Sequence, residues 1–187
     1  TLTIIGFFDR FYIKAMFGSV AFGTYFYLST IFYFPFALLQ GYVGFKELVF
    51  FKTNASLPIL KKKLIRINFL SVGIAVVIFG TAYVLNNLQI IPAIDFNSSA
   101  TIIIIFIALG ILRINYSMLS SVLGAIGSIK IIRNANIQSL VCIVVIFVAC
   151  WKHLISVEAV AFCILLVWIS RIAIWYYNAV RQLNIDT

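Results

Sequence analysis

A chain of 187 residues in which 64% are hydrophobic and only 10% are charged departs from a soluble domain, where about a quarter of residues carry charge. A globule this small cannot hide eighteen Phe and nine Tyr from water, because too much of it is surface. The formal charge of +9 gathers in connecting segments, where it reads as a topology signal and not as a nucleic-acid footprint.

The composition therefore predicts an all-α, polytopic membrane helix bundle. A membrane-spanning helix needs about 20 apolar residues, and taken in chain order that length predicts spans at approximately 1–17, 20–45, 64–86, 99–125, 133–151 and 155–178. Together they make one helical lobe, residues 1–187, of about six helices. The apolar runs are too long, and too little alternating, for barrel strands of about ten residues. The chain opens at Thr1 without an initiating Met and is apolar by Ile4, so the first span is expected to be truncated. A short turn at 14–20 leads into the second span, where Pro35 removes a backbone donor and predicts a kink. Beyond it, residues 46–60 mix Lys46, Glu47 and Lys52 with Val49, Phe50 and Phe51, a pattern expected of an interfacial helix broken near Pro58.

Lysine and arginine set the expected orientation. Residues 46–66 carry Lys46, Lys52, Lys61, Lys62, Lys63 and Arg66 against Glu47, the connection 87–98 has only Asp95, and the next contains Lys130 and Arg133. Lys152 and Glu158 offset one another, and Arg181 lies in the tail. The positive-inside rule places 46–66, 126–133 and the C-terminus in the cytoplasm.

Ionisable side chains in a span cost about 2.5–3.5 kcal/mol each on insertion scales, and the ones to be weighed are Asp9, Arg10, Arg113 and Arg171. Arg113 is too far from either end of its span to snorkel. Gly110, Arg113, Ser117, Ser120, Gly124 and Gly127 recur at steps of three or four, a small, polar stripe with two readings. Either it packs on a neighbouring helix with Arg113 bonded to carbonyls or Asp9, or Arg113 faces a hydrated cavity that receives an anion. The second span carries its own stripe, Gly23, Tyr27, Thr30, Tyr33, Ala37, Gln40 and Gly44, suited either to close packing or to contact with sugars. In the sixth span Trp168, Arg171, Trp175 and Asn178 share a face; next to Tyr176 and Tyr177 the preferred reading of Arg171 is snorkelling at an aromatic belt.

Bond-breaking chemistry has no visible residues. No Asp-x-Asp pair, Ser/His/Asp set or glycine-rich phosphate loop occurs, and Cys142, Cys150 and Cys163 lie in apolar stretches without metal-ligand spacing. His153 reads as a loop residue, so neither a catalytic group, a metal nor a cofactor is expected.

The run Asp9-Arg10-Phe11-Tyr12-Ile13, then Gly18, then Ala21-Phe22-Gly23-Thr24-Tyr25 resembles the middle of the polysaccharide-export flippases, the O-antigen and related lipid-linked oligosaccharide transporters of the multidrug/oligosaccharidyl-lipid/polysaccharide exporter superfamily. The lysine-rich 61–66 stretch, Leu123-Gly124-Ala125-Ile126-Gly127-Ser128-Ile129-Lys130, and Val157-Glu158-Ala159-Val160-Ala161 are similar in order and spacing, although Glu158 stands where that family usually has a small residue. The resemblance implies the second lobe of a twelve-helix transporter of the bacterial inner membrane, with an N-terminal lobe as its companion. It implies alternating-access export of an undecaprenyl-diphosphate-linked oligosaccharide, with membrane lipids, a polysaccharide polymerase and a chain-length regulator as further partners. Arg10, Arg113 and Arg171 would then meet the diphosphate, Tyr25, Tyr33 and Gln40 the sugars, and Asp9 a coupling ion. The alternatives are a multidrug or peptidoglycan-precursor transporter of the same superfamily and, from another class, a membrane-bound polysaccharide polymerase or acyltransferase.

Overall fold

In the computed structural model, which describes residues 8–185, the chain is a bundle of six helices with no strand among the described residues. They are α1 (Phe8–Phe32), α2 (Phe34–Phe51), α3 (Leu57–Asn87), α4 (Phe96–Ile126), α5 (Ile129–Cys150) and α6 (Val157–Ile185), with a 3-10 turn at Trp151–His153 between the last two. Five segments, Asp9–Phe32, Leu57–Asn87, Phe96–Ile126, Ile129–His153 and Val157–Asn184, are long and apolar enough to cross a membrane. Their outer faces leave Phe69, Val76, Val77 and Val148 more than half exposed, which is the arrangement of a multi-pass membrane protein whose solvent is lipid.

The first of those segments is not a straight crossing. At Gly18 the backbone takes φ 83 and ψ 179, a conformation open to glycine and strained for other residues. The Tyr25 hydroxyl donates to Asp9 Oδ2 at 2.8 Å, and the Arg10 guanidinium lies 5.1 Å from the centre of the Phe26 ring. Residues 16 apart on one continuous helix would be about 24 Å apart. The chain therefore doubles back at Gly18, and 8–17 and 19–32 are the two arms of a helical hairpin whose turn falls within the expected 14–20. Residues 1–7 of the expected first span lie outside the described residues.

The second arm runs on into α2 through a kink. Tyr33 keeps a helical conformation and bonds both ways, its amide to Ser29 O at 3.0 Å and its carbonyl from Ala37 N at 3.3 Å, while Pro35 supplies no donor of its own. On both sides of the kink, contacts with α4 advance together: Tyr25 with Phe106, Phe36 with Gly110, Gln40 with Ser117, Gly44 with Ser121. Residues 19–51 thus form one bent element parallel to α4, extending past the expected end at 45.

Residues 46–60 differ from expectation. They form no separate interfacial helix: 46–51 are the last turns of α2, and α3 begins at Leu57 with Pro58 in its first turn. There proline starts a helix, because the amide it lacks has no intrahelical acceptor at that position. The charged pattern that resembled an interface is explained by an ion pair. Lys63 donates to the buried Glu47 carboxylate and sits 3.3 Å from the centre of the Phe50 ring.

α4 is the hub, with 61% of its most apolar stretch buried against 17% in α3 and in α5. Its N-terminus is capped by Asp95, whose side chain accepts from the amides of Asn97 at 3.0 Å and Ser98 at 3.2 Å. Most of its polar stripe serves packing. Ser117 and Ser121 donate to the Gln40 and Gly44 carbonyls at 2.7 and 2.6 Å, and Gly110 receives the Phe36 ring. α3 lies antiparallel to α4, joined by Asn115 Nδ2 to Asn68 Oδ1 at 2.7 Å. α6 lies parallel to α4, with Tyr116 packed edge-on against Trp168 and Trp175.

This topology sorts the connections onto two ends. Gly18, the 88–95 connection and residues 151–156 share one end, where the Tyr12 hydroxyl reaches Leu154 O and Tyr27 reaches Pro92 O. The other end gathers the exposed Lys46, Lys52, Lys61, Lys62, Arg66, Lys130, Arg133 and Arg181. Reporter fusions after residues 56 and 130 should score on one side, the cytoplasm by the positive-inside rule, and a fusion after 95 on the other. The reverse assignment would overturn the orientation, and agreement of all three would overturn the topology.

Candidate functional site

Between the hairpin, α2, α4 and α6 lies a cavity of about 760 Å³, with Ile143 of α5 also on its lining, a size in the range of small-molecule and head-group sites. Asp9, Arg10, Tyr25, Tyr33, Gln40, Arg113 and Arg171 all line it. Residues from four helices and far apart in sequence thus converge on one volume, because the parallel packing of 19–51, α4 and α6 turns one face of each inward.

Arg113 donates to the Tyr33 hydroxyl, and its guanidinium lies over the rings of Tyr33 at 5.3 Å and Trp168 at 5.1 Å. Among the described residues it bonds neither Asp9 nor a backbone carbonyl, the partners expected of a purely structural residue. Tyr33 is presented to it by the kink at the end of α1. Arg171 is only 8% exposed, which corrects the snorkelling reading: the side chain turns inward, donates to Tyr116 Oη at 2.6 Å and stacks over the Tyr116 ring at 4.2 Å. The reason lies in register. Trp168 and Arg171, one helical turn apart, face α4 together, while Tyr177 remains outside at 64% exposure and is free to meet lipid.

Among the described residues the ion pair present is Lys63 with Glu47, so neither Arg113 nor Arg171 has a carboxylate beside it. Each guanidinium has one phenol oxygen and aromatic faces, and the buried Nε of each meets no acceptor among the described residues. A desolvated cation attracts any anion that can enter, since charge interactions strengthen as the dielectric falls. Asp9, also on the cavity lining, accepts from the Tyr25 hydroxyl at 2.8 Å, and its Oδ1 meets no donor among the described residues.

Two expected details differ, and a third follows the packing reading. The Tyr25 hydroxyl is already engaged by Asp9 and the residue is 1% exposed, so it holds the carboxylate in place more than it offers a surface. Tyr27, from the polar stripe of the second span, turns away to Pro92. Gly44, from the same stripe, packs against Ser117. Among the lining residues not named as site residues from the sequence are Tyr116 and Trp168, the latter placed there only on the face of Arg171. Tyr116 lies three residues beyond Arg113 and Trp168 three before Arg171, so helical spacing from each arginine was the signal that could have found them.

No family model, curated protein or solved structure matches the chain. Fold and cavity define a multi-pass α-helical membrane protein with a positively charged internal cavity.

Proposed function

We propose that the chain is a lobe of a bacterial inner-membrane exporter that moves an undecaprenyl-diphosphate-linked oligosaccharide from the cytoplasmic to the periplasmic face by alternating access. The observation that carries this reading is the pair of arginines without carboxylates, Arg113 and Arg171, lining a cavity inside an apolar bundle. Intramembrane cations are costly, and they mark anion pathways when they face a cavity. A diphosphate offers two negative charges and pairs of oxygens that a guanidinium can hold with two parallel hydrogen bonds. The remaining lining suits a glycan: Gln40 and Thr30 offer polar contacts, and Tyr33, Phe34 and Phe106 offer ring faces. Asp9, held by Tyr25, is the carboxylate available for coupling to an ion gradient.

The sequence resemblance to the polysaccharide-export flippases points the same way, and with it a companion N-terminal lobe. The kink at Tyr33 and Pro35 gives such motion a physical pivot. Below it, α2 is fastened to α4 by the Ser117 and Ser121 hydrogen bonds, whereas above it the hairpin meets α4 through apolar and ring contacts such as Tyr25 on Phe106. A cationic-drug exporter would favour embedded carboxylates over arginines, and its ligand would be repelled here.

The full-length protein should restore surface polysaccharide to a flippase-deficient host that makes its cognate repeat unit. If repeat units reach the periplasm normally without it and remain unpolymerised, the protein is a polymerase and the export reading fails.

A further inference from the structure

We infer that Trp168 is a positioning residue: its indole is the shared plate that fixes the separation of the Arg113 and Arg171 guanidiniums and so selects a ligand with two linked phosphates over one with a single phosphate. The inference rests on the export reading above. Its observations are geometric. Arg113 lies 5.1 Å and Arg171 5.2 Å from the same indole. With both guanidiniums about 5 Å from one indole, the two like charges repel one another, and a flexible arginine would relieve that by swinging away. Attraction of each guanidinium to the electron-rich face of tryptophan opposes the swing.

The rest of the cluster closes the arrangement. Tyr116 packs edge-on against Trp168 at 5.5 Å and against Trp175 at 5.1 Å, and it accepts the Arg171 bond. Tyr33 secures Arg113 from the opposite helix. Each arginine is thus tied to one phenol, and the indole is the group that both contact. A single phosphate can be met by either guanidinium alone. A diphosphate gains from both only while their separation stays matched to it, the usual advantage of a preorganised site.

The test compares binding of radiolabelled undecaprenyl diphosphate and undecaprenyl monophosphate to the full-length protein in lipid nanodiscs. The native protein should prefer the diphosphate. Trp168→Leu should reduce that preference by about tenfold, the scale of one lost desolvated cation–π contact, almost wholly by weakening the diphosphate. Trp168→Phe, which keeps a ring, should return the preference to within about threefold of native on the same scale. An unchanged preference in Trp168→Leu, or equal weakening of both ligands, overturns the inference and leaves the export reading standing. A native protein that binds neither lipid, or both alike, overturns the export reading itself. Should the leucine variant fail to fold, Trp168→Met is judged by the same ratio.

Discussion

Arg113→Ala should reduce export by more than tenfold per folded molecule while abundance and membrane insertion stay near native. The expectation follows from what the side chain touches. Its partners are the Tyr33 hydroxyl and two aromatic faces, with no carboxylate to be stranded by its removal. Truncating it leaves a neutral phenol at the edge of a cavity, which is far cheaper than orphaning a buried ion, and it also removes the insertion cost of a mid-membrane charge. What is lost is a charge-assisted bond to an anionic cargo, worth about 1.5–3 kcal/mol, or at least tenfold in a binding or rate constant. Arg113→Lys keeps the charge but not the planar fork and should retain part of the activity. A structural arginine gives a different pattern: export would fall in step with abundance or thermal stability in detergent. Export at the native rate per molecule in the alanine variant would remove Arg113 from the site.

The largest effect on folding is expected at Gly110→Leu. A Cβ at this position would collide with the Phe36 ring, and Phe36 is fully buried between α2 and α4. Neither partner can yield easily, since Phe36 lies just past the kink and the backbones are tied by Ser117 and Ser121 a little further along. Overpacking of a tight core costs about 1–3 kcal/mol, and more where backbone must move. The helices should separate, with a fall in detergent melting temperature and in abundance. Gly73 and Gly80 on α3 supply the contrast, since a Cβ at either meets nothing within 4 Å and leucine there should be tolerated. Combining Gly110→Leu with Phe36→Ala should recover part of the loss, because the ring that the new side chain strikes is gone. Equal stability of the Gly110 and Gly73 variants would contradict the packing of α2 on α4.

Much of the bundle was legible because membranes impose simple rules. Apolar length located α3, α4, α5 and α6, and the break between the first two apolar runs put a turn at 14–20, where Gly18 reverses the chain. The residues of the cavity stood out for the same reason, since a charge placed among apolar side chains needs an explanation that a surface charge does not. What the sequence could not reveal was partner choice. Lys46 and Glu47 looked like a membrane surface because the Lys63 that neutralises Glu47 lies 16 residues away across a loop. Arg171 sat beside aromatics, which is equally true of a belt and of a cage, and only the rotation of α6 against α4 decides between them. Spacing placed the serines of α4 on the same face as Arg113; that they bond α2 carbonyls while Arg113 turns to the cavity depends on which helix lies beside each turn.

The most direct measurement is translocation itself, made with the full-length protein in proteoliposomes loaded with a fluorescent undecaprenyl-diphosphate-linked oligosaccharide and scored by access of a membrane-impermeant enzyme to the sugar. The account predicts protein-dependent movement that falls more than tenfold in Arg113→Ala and is not shared by a cationic lipid of similar size. No movement of the oligosaccharide lipid, or movement of the cationic lipid at an equal rate, would contradict it.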